Sequence, residues 1–117
     1  MNHTVRMPVV FVPHGGGPWP FVEIGFPKAD VDRLADYLRS VSAIPPARPK
    51  ALLVVSAHWE EPVPTVMTSA HPPILYDYYG FPAESYEITW PAPGAPGLAS
   101  RVQQLLNAAG IRNDADA

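Results

Sequence analysis

Cysteine is absent from this sequence, so no disulfide, zinc ribbon or thiol nucleophile can be built from it. Any metal it holds must be bound through histidine, carboxylate or water. Charge is also sparse, at 16% of residues with a formal net charge of -3, and no lysine/arginine cluster is present. That balance argues against a nucleic-acid groove or an anionic membrane surface as partner and leaves small molecules. No apolar run approaches the roughly 20 residues a spanning helix needs, and no small-residue cleavage pattern follows the start MNHTVRMPVVFVPHGGG. The expected location is therefore the cytoplasm. The low hydrophobicity of a disordered segment is missing as well, because 47% of the residues are hydrophobic.

Proline is plentiful, with 16 in 117 residues. The prolines gather in connections such as Pro45-Pro46, Pro62, Pro64, Pro72-Pro73, Pro82 and the run from Pro91 to Pro96. Each removes a backbone donor and restricts the residue before it, so these stretches read as stiff loops. Between them lie the elements. Met7 to Val12 is a short apolar run rich in β-branched residues, bounded by Pro13 and a glycine triplet, and predicts a strand buried on both faces. Val31, Leu34, Ala35, Leu38 and Val41 recur at helical spacing, predicting a helix capped by Asp30 and running to about Ser42. Ala51 to Ser56 (ALLVVS) predicts a second buried strand, parallel to the first across a right-handed crossover. Thr65 to Ser69 and Tyr86 to Thr89 read as shorter strands. A second helix is expected over about Gly97 to Ala109 with Gly110 as its stop, and Ile111 then begins a further strand. The fold class expected is α/β, an open, mainly parallel or mixed sheet with flanking helices. The chain reads as one domain over 1–117. It ends soon after the second helix, on NDADA, which suggests an incomplete sheet whose remainder lies in further sequence.

His14 follows the first predicted strand and His58 follows the second. Parallel strands would bring both imidazoles to one sheet edge, where open α/β folds place their ligands. Strands about 4.8 Å apart allow two nitrogens to share an ion at roughly 2.1 Å each. Spacing alone fits equally a turn histidine and a packed loop histidine. Gly15-Gly16-Gly17 permits close backbone approach to a ligand, or is simply a sharp turn. HGGG also resembles the oxyanion loop of α/β-hydrolase esterases, but no G-x-S-x-G elbow occurs and Ser56 lacks flanking glycines, so that alternative would need a nucleophile from other sequence. Trp19, Trp59, Tyr76, Tyr78, Tyr79 and Phe81 can wall a pocket for a flat ring or pack as core. Asp77, Glu60 and Glu61 are more often solvated loop charges. His3, in an expected tail, and His71, in a proline-rich loop, carry no assigned role.

Four segments, VVFVPHGGGPW, RPKALLVVSAHWE, ILYDYYGFPAESYEITWPAPG and GLASRVQQLLNAAG, together resemble the extradiol aromatic-ring-opening dioxygenases of the LigB superfamily, in its DOPA 4,5-dioxygenase-like branch. The resemblance implies a mononuclear non-haem Fe(II) site with His14 and His58 as its two N-terminal histidine ligands, zinc being able to occupy it in purified protein. It implies a catechol-type substrate and O2 as partners, to set beside the absence of nucleic acid and membrane expected from the charge. Family members are typically more than twice as long, and their remaining ligand and acid-base histidine lie beyond the matching part. The GGGPWPF that follows His14 departs from the Ser-Pro-containing loop of many DOPA-type relatives. A second expectation is a non-catalytic scaffold or interaction module of the same fold, which would associate with a C-terminal part or form homo-oligomers.

Overall fold

The computed structural model describes residues 5–22 and 25–117; His3 lies outside them. The chain divides into two compact units, Met1–Leu52 with Asp77–Ile88, and Leu53–Tyr76 with Thr89–Ala117.

In the first unit the periodic apolar stripe forms α1, Lys28–Ser40, continued by a 3₁₀ turn over Val41–Ala43. Asp30 is not its cap. The N-cap is Pro27, with no side-chain cap, and Asp30 sits in the first turn, where its negative charge meets the positive end of the helix dipole. Arg39 occupies the last turn in the complementary sense. Ala35 is buried, while Lys28–Asp32 and Asp36–Arg39 pair on the solvent side at helical neighbour spacing. Trp19 and Val22 are also buried in this unit. Ala83–Tyr86 forms a 3₁₀ turn that ends at Tyr86, where the sequence predicted that a strand would begin, and no strand is present over 86–89. Pro82 sets the turn, its carbonyl accepting from Ser85 N–H at 2.9 Å.

In the second unit Thr65–Met67 forms β1, Pro96–Ala108 forms α2 and Asp114–Asp116 forms β2. β1 and β2 run parallel in a two-stranded open sheet, with Thr65 opposite Asp114, Val66 opposite Ala115 and Met67 opposite Asp116. Hydrogen bonds from Asp114 N to Pro64 O (3.0 Å) and from Thr68 N to Asp116 O (2.7 Å) extend the ladder at both ends. α2 lies between these strands in sequence and packs against β1, so the β–α–β arrangement is made by β1, α2 and β2. Pro96 occupies the first turn of α2, where its missing N–H costs nothing. Gly110 ends α2 at φ +72°, donating to Asn107 O, while Ile111 N donates to Leu106 O: the paired bonds of a left-handed helix stop. The strand expected from Ile111 starts three residues later, at Asp114.

Two helices and a parallel open sheet make the fold α/β. The two strands expected at Met7 to Val12 and Ala51 to Ser56 are corrected: neither segment is a strand, and no crossover joins them through α1. Phe11 is 92% and Val55 92% exposed. A strand buried on both faces needs hydrogen-bonding neighbours and a covering layer on each face, and an apolar run encodes the demand without supplying the partners. Among the described residues no helix is long and apolar enough to cross a membrane.

Candidate functional site

His14 sits in the first unit, in the loop that follows the Met7 to Val12 segment. Its Nδ1 lies 2.8 Å from the carbonyl oxygen of Gly15. A carbonyl can only accept, so Nδ1 is the donor in this bond. Backbone carbonyl bonds of this kind are what orient histidines that ligate metals.

The loop itself is seated between two rings. A β-carbon at Gly15 would fall 2.6 Å from Cε3 of Trp19, and one at Gly17, whose φ is +53°, would fall 2.5 Å from Cζ of Phe81. Both distances are shorter than side chains tolerate, so glycine is required at each position. Trp19 N–H donates to Gly16 O at 3.3 Å and Phe21 N–H to Pro18 O at 3.0 Å, closing the turn. Phe81 is held in turn. Its ring meets Tyr78 edge-on, centroids 5.4 Å apart and planes at 85°, and Tyr78 packs on Tyr86 at 5.4 Å. The Tyr78 hydroxyl donates to Ser85 O, and the Tyr86 hydroxyl to Tyr78 O at 3.4 Å.

Beside this loop an open depression of about 230 Å³ is lined by Gly15, Trp19, Phe26, Pro27, Asp30, Val31 and Leu34. Among the described residues its walls are apolar and aromatic, with Asp30 as the one charged residue. Of the aromatic residues that the sequence offers as pocket walls, only Trp19 lines it; Tyr78 and Phe81 belong to the ring cluster, and Tyr79 is exposed.

His58 belongs to the second unit. Its backbone N–H donates to Ser56 Oγ at 3.1 Å, a local turn that places the imidazole on an exposed loop. Next to it, Trp59 Nε1–H donates to Glu61 Oε1 at 3.2 Å, which gives Glu61 a local structural partner. Among the described residues no group of three or more His, Asp or Glu side chains is close enough to hold a metal ion. Sequence reasoning pointed to the aromatic residues collectively. That Phe81 seats Gly17, 64 positions away, had no sequence signal beyond the presence of a glycine and a ring.

The family described as the catalytic LigB subunit of aromatic ring-opening dioxygenase matches residues 9–116. This chain belongs to the LigB family. Both the His14 loop and the His58 loop fall within the matched span. Among similar proteins, dioxygenase tasH of Hapsidospora irregularis is 37% identical over 106 residues, covering 89% of this chain and 33% of that protein. The 4,5-DOPA dioxygenase extradiol of Portulaca grandiflora is 48% identical over 68 residues, 58% of this chain and 25% of the relative. The 4,5-DOPA dioxygenase extradiol of Escherichia coli K12 is 36% identical over 103 residues, 88% of this chain and 35% of the relative. The chain spans only about a quarter to a third of the length of these relatives.

Proposed function

We propose that this chain is the N-terminal, two-histidine part of a LigB-type domain that opens catechol-type aromatic rings beside their hydroxyls with O2, and that His14 and His58 are ligands of a non-haem Fe(II). The observation that carries the reading is the family match over 9–116, which includes both histidine loops. Relatives named as extradiol DOPA dioxygenases support the substrate class.

The residues present suit such an ion. Imidazole is a common ligand for ferrous iron, and the His14 Nδ1 bond to Gly15 O orients the ring. Bound there, ferrous iron supplies a conduit for electrons between an aromatic diol and dioxygen. The chain's own share is placement. The glycines let the backbone of the His14 loop lie close to its neighbours, and Trp19 and Phe26 offer flat apolar walls beside it that shield a ring from water. Zinc is expected to compete for the same ligands in purified protein.

A second reading, a non-catalytic module of the same fold that binds a partner, is favoured by the exposed apolar residues of segments 9–12 and 52–55. Anaerobic Fe(II) calorimetry on this chain and on the complete product of its gene separates the two. Tight binding by the complete product that is weakened by His14→Ala and by His58→Ala upholds the dioxygenase reading. Iron affinity indifferent to both substitutions overturns it and puts the module first.

A further inference from the structure

The depression beside the His14 loop has an asymmetry of charge that its apolar walls do not account for. All its described lining residues belong to the first unit. Trp19, Phe26 and Pro27 line it from the segment before α1, and α1 contributes Asp30, Val31 and Leu34, whose spacing puts them on neighbouring rows of the helix. Asp30 is the one carboxylate. Among the described residues it has neither an ion pair nor a side-chain hydrogen bond, whereas the other acids on α1, Asp32 and Asp36, are paired with Lys28 and Arg39. The positive end of the helix dipole offsets part of the Asp30 charge but gives it no counter-ion. A hollow of about 230 Å³ falls below the roughly 300 Å³ at which sites for larger ligands begin, so it has room for one ring with a short arm.

We propose that this depression selects aromatic ligands that carry a protonated amine on a short arm, with the ring against Trp19 and Phe26 and the ammonium at the Asp30 carboxylate. A neutral ring gains only apolar contact there. An ammonium also gains the opposite charge of Asp30 and the π-face of a neighbouring ring, and a carboxylate on the same arm is repelled. Because Gly15, which borders the depression, follows His14 directly, the hollow as a substrate seat rests on the dioxygenase reading and narrows it: the ring opened bears a cationic arm, and Asp30 is the specificity residue. The preference for an ammonium needs no iron.

The first test is therefore an NMR titration of the metal-free chain with three probes that differ in one group: 2-phenylethylammonium, 2-phenylethanol and 3-phenylpropionate. Shifts are read at the backbone amides of Gly15, Val31 and Leu34. The ammonium is expected to bind on the order of millimolar, as suits so small a ligand on an open surface. The alcohol should bind about fivefold more weakly, the size of an ion pair open to solvent, and the propionate more weakly still. Asp30→Asn should bring the ratio of ammonium to alcohol close to one, as should molar salt. Equal binding of ammonium and alcohol, a preference that survives Asp30→Asn, or shifts confined to other residues overturns the proposal. In the iron-loaded complete gene product, kcat/KM for a catechol with an aminoethyl arm relative to one with an ethyl arm is expected to fall about fivefold in Asp30→Asn. Turnover of both with an unchanged ratio overturns the depression as the substrate seat. Turnover of neither sinks the dioxygenase reading instead, and the metal-free titration still decides whether Asp30 selects the ammonium.

Discussion

Gly94 lies against the backbone of Ser69 so closely that a β-carbon there would sit 1.8 Å from the Ser69 carbonyl oxygen, while its own N–H donates to Ala70 O at 2.9 Å. The contact ties the proline-rich run before α2 to the chain just past β1, within the second unit. The obstacle is backbone, which cannot swing aside as a side chain can. Gly94→Ala must therefore part the two segments and lose the hydrogen bond, at a cost of about 2–4 kcal/mol from overpacking plus the broken bond. Thermal unfolding followed by circular dichroism should show a fall in melting temperature of roughly 10 °C or more for a chain of this size. A melting temperature unchanged within 2 °C or so would mean the two segments do not touch.

The parts of the fold legible in the sequence were those whose signal is local. Val31, Leu34, Ala35 and Leu38 spell a helix by their spacing alone, and α1 forms there; Pro96 and Gly110 bracket α2 by backbone preferences that need no partner. The parts that failed depend on pairing. The apolar runs 7–12 and 51–56 ask to be strands and find no ladder, while β2, expected from Ile111, begins only at Asp114, in the sequence Asp-Ala-Asp, where the chain returning from α2 meets β1. At the candidate site, the His14 bond to Gly15 is a neighbour effect, and the glycines announce a tight approach. The rings that demand it are identified only by three-dimensional contact, Trp19 being close in sequence and Phe81 far.

Lys28 offers a test of the surface electrostatics of α1. Its hydrogen bond to Asp32, and then the charge of Asp32, hold the ammonium group above its ordinary value of 10.5. A raised pKa in the folded state means that the folded form binds the proton more tightly. The stabilisation is then complete below 10.5, the value in the unfolded chain, and is lost as pH climbs through the higher folded value. Both side chains are solvated, so the effect is small and screened by salt. Urea midpoints of the protein and of Lys28→Met should differ by the same small amount at pH 7 and pH 9, and converge once the pH has passed the raised folded-state value. A gap that persists there, or that ignores molar salt, would show that Lys28 acts through packing of its methylenes.

Removing the Tyr78 hydroxyl should weaken the ring cluster. The group is partly buried and donates to Ser85 O, so Tyr78→Phe leaves that carbonyl without its donor and costs about 1 kcal/mol while keeping the ring contacts to Phe81 and Tyr86. Denaturant unfolding at constant m-value is the measure. If stability is unchanged, water replaces the phenol and the cluster is held by its rings alone.

Ser85 should behave in the opposite sense although it is the most buried residue described. It is 0% exposed, and among the described residues its Oγ has no hydrogen-bonding partner. A buried hydroxyl without a partner carries a desolvation cost that a methyl group does not, and alanine fits the same space. Ser85→Ala is therefore expected to leave stability unchanged or raise it by up to about 1 kcal/mol, where most substitutions at a fully buried position lower it. The same substitution also favours the 3₁₀ turn by removing a side chain that competes for backbone groups. A loss of 1 kcal/mol or more in denaturant unfolding would mean that the hydroxyl is satisfied in solution, and the geometry around the Phe81 seat would then have to include the group that satisfies it.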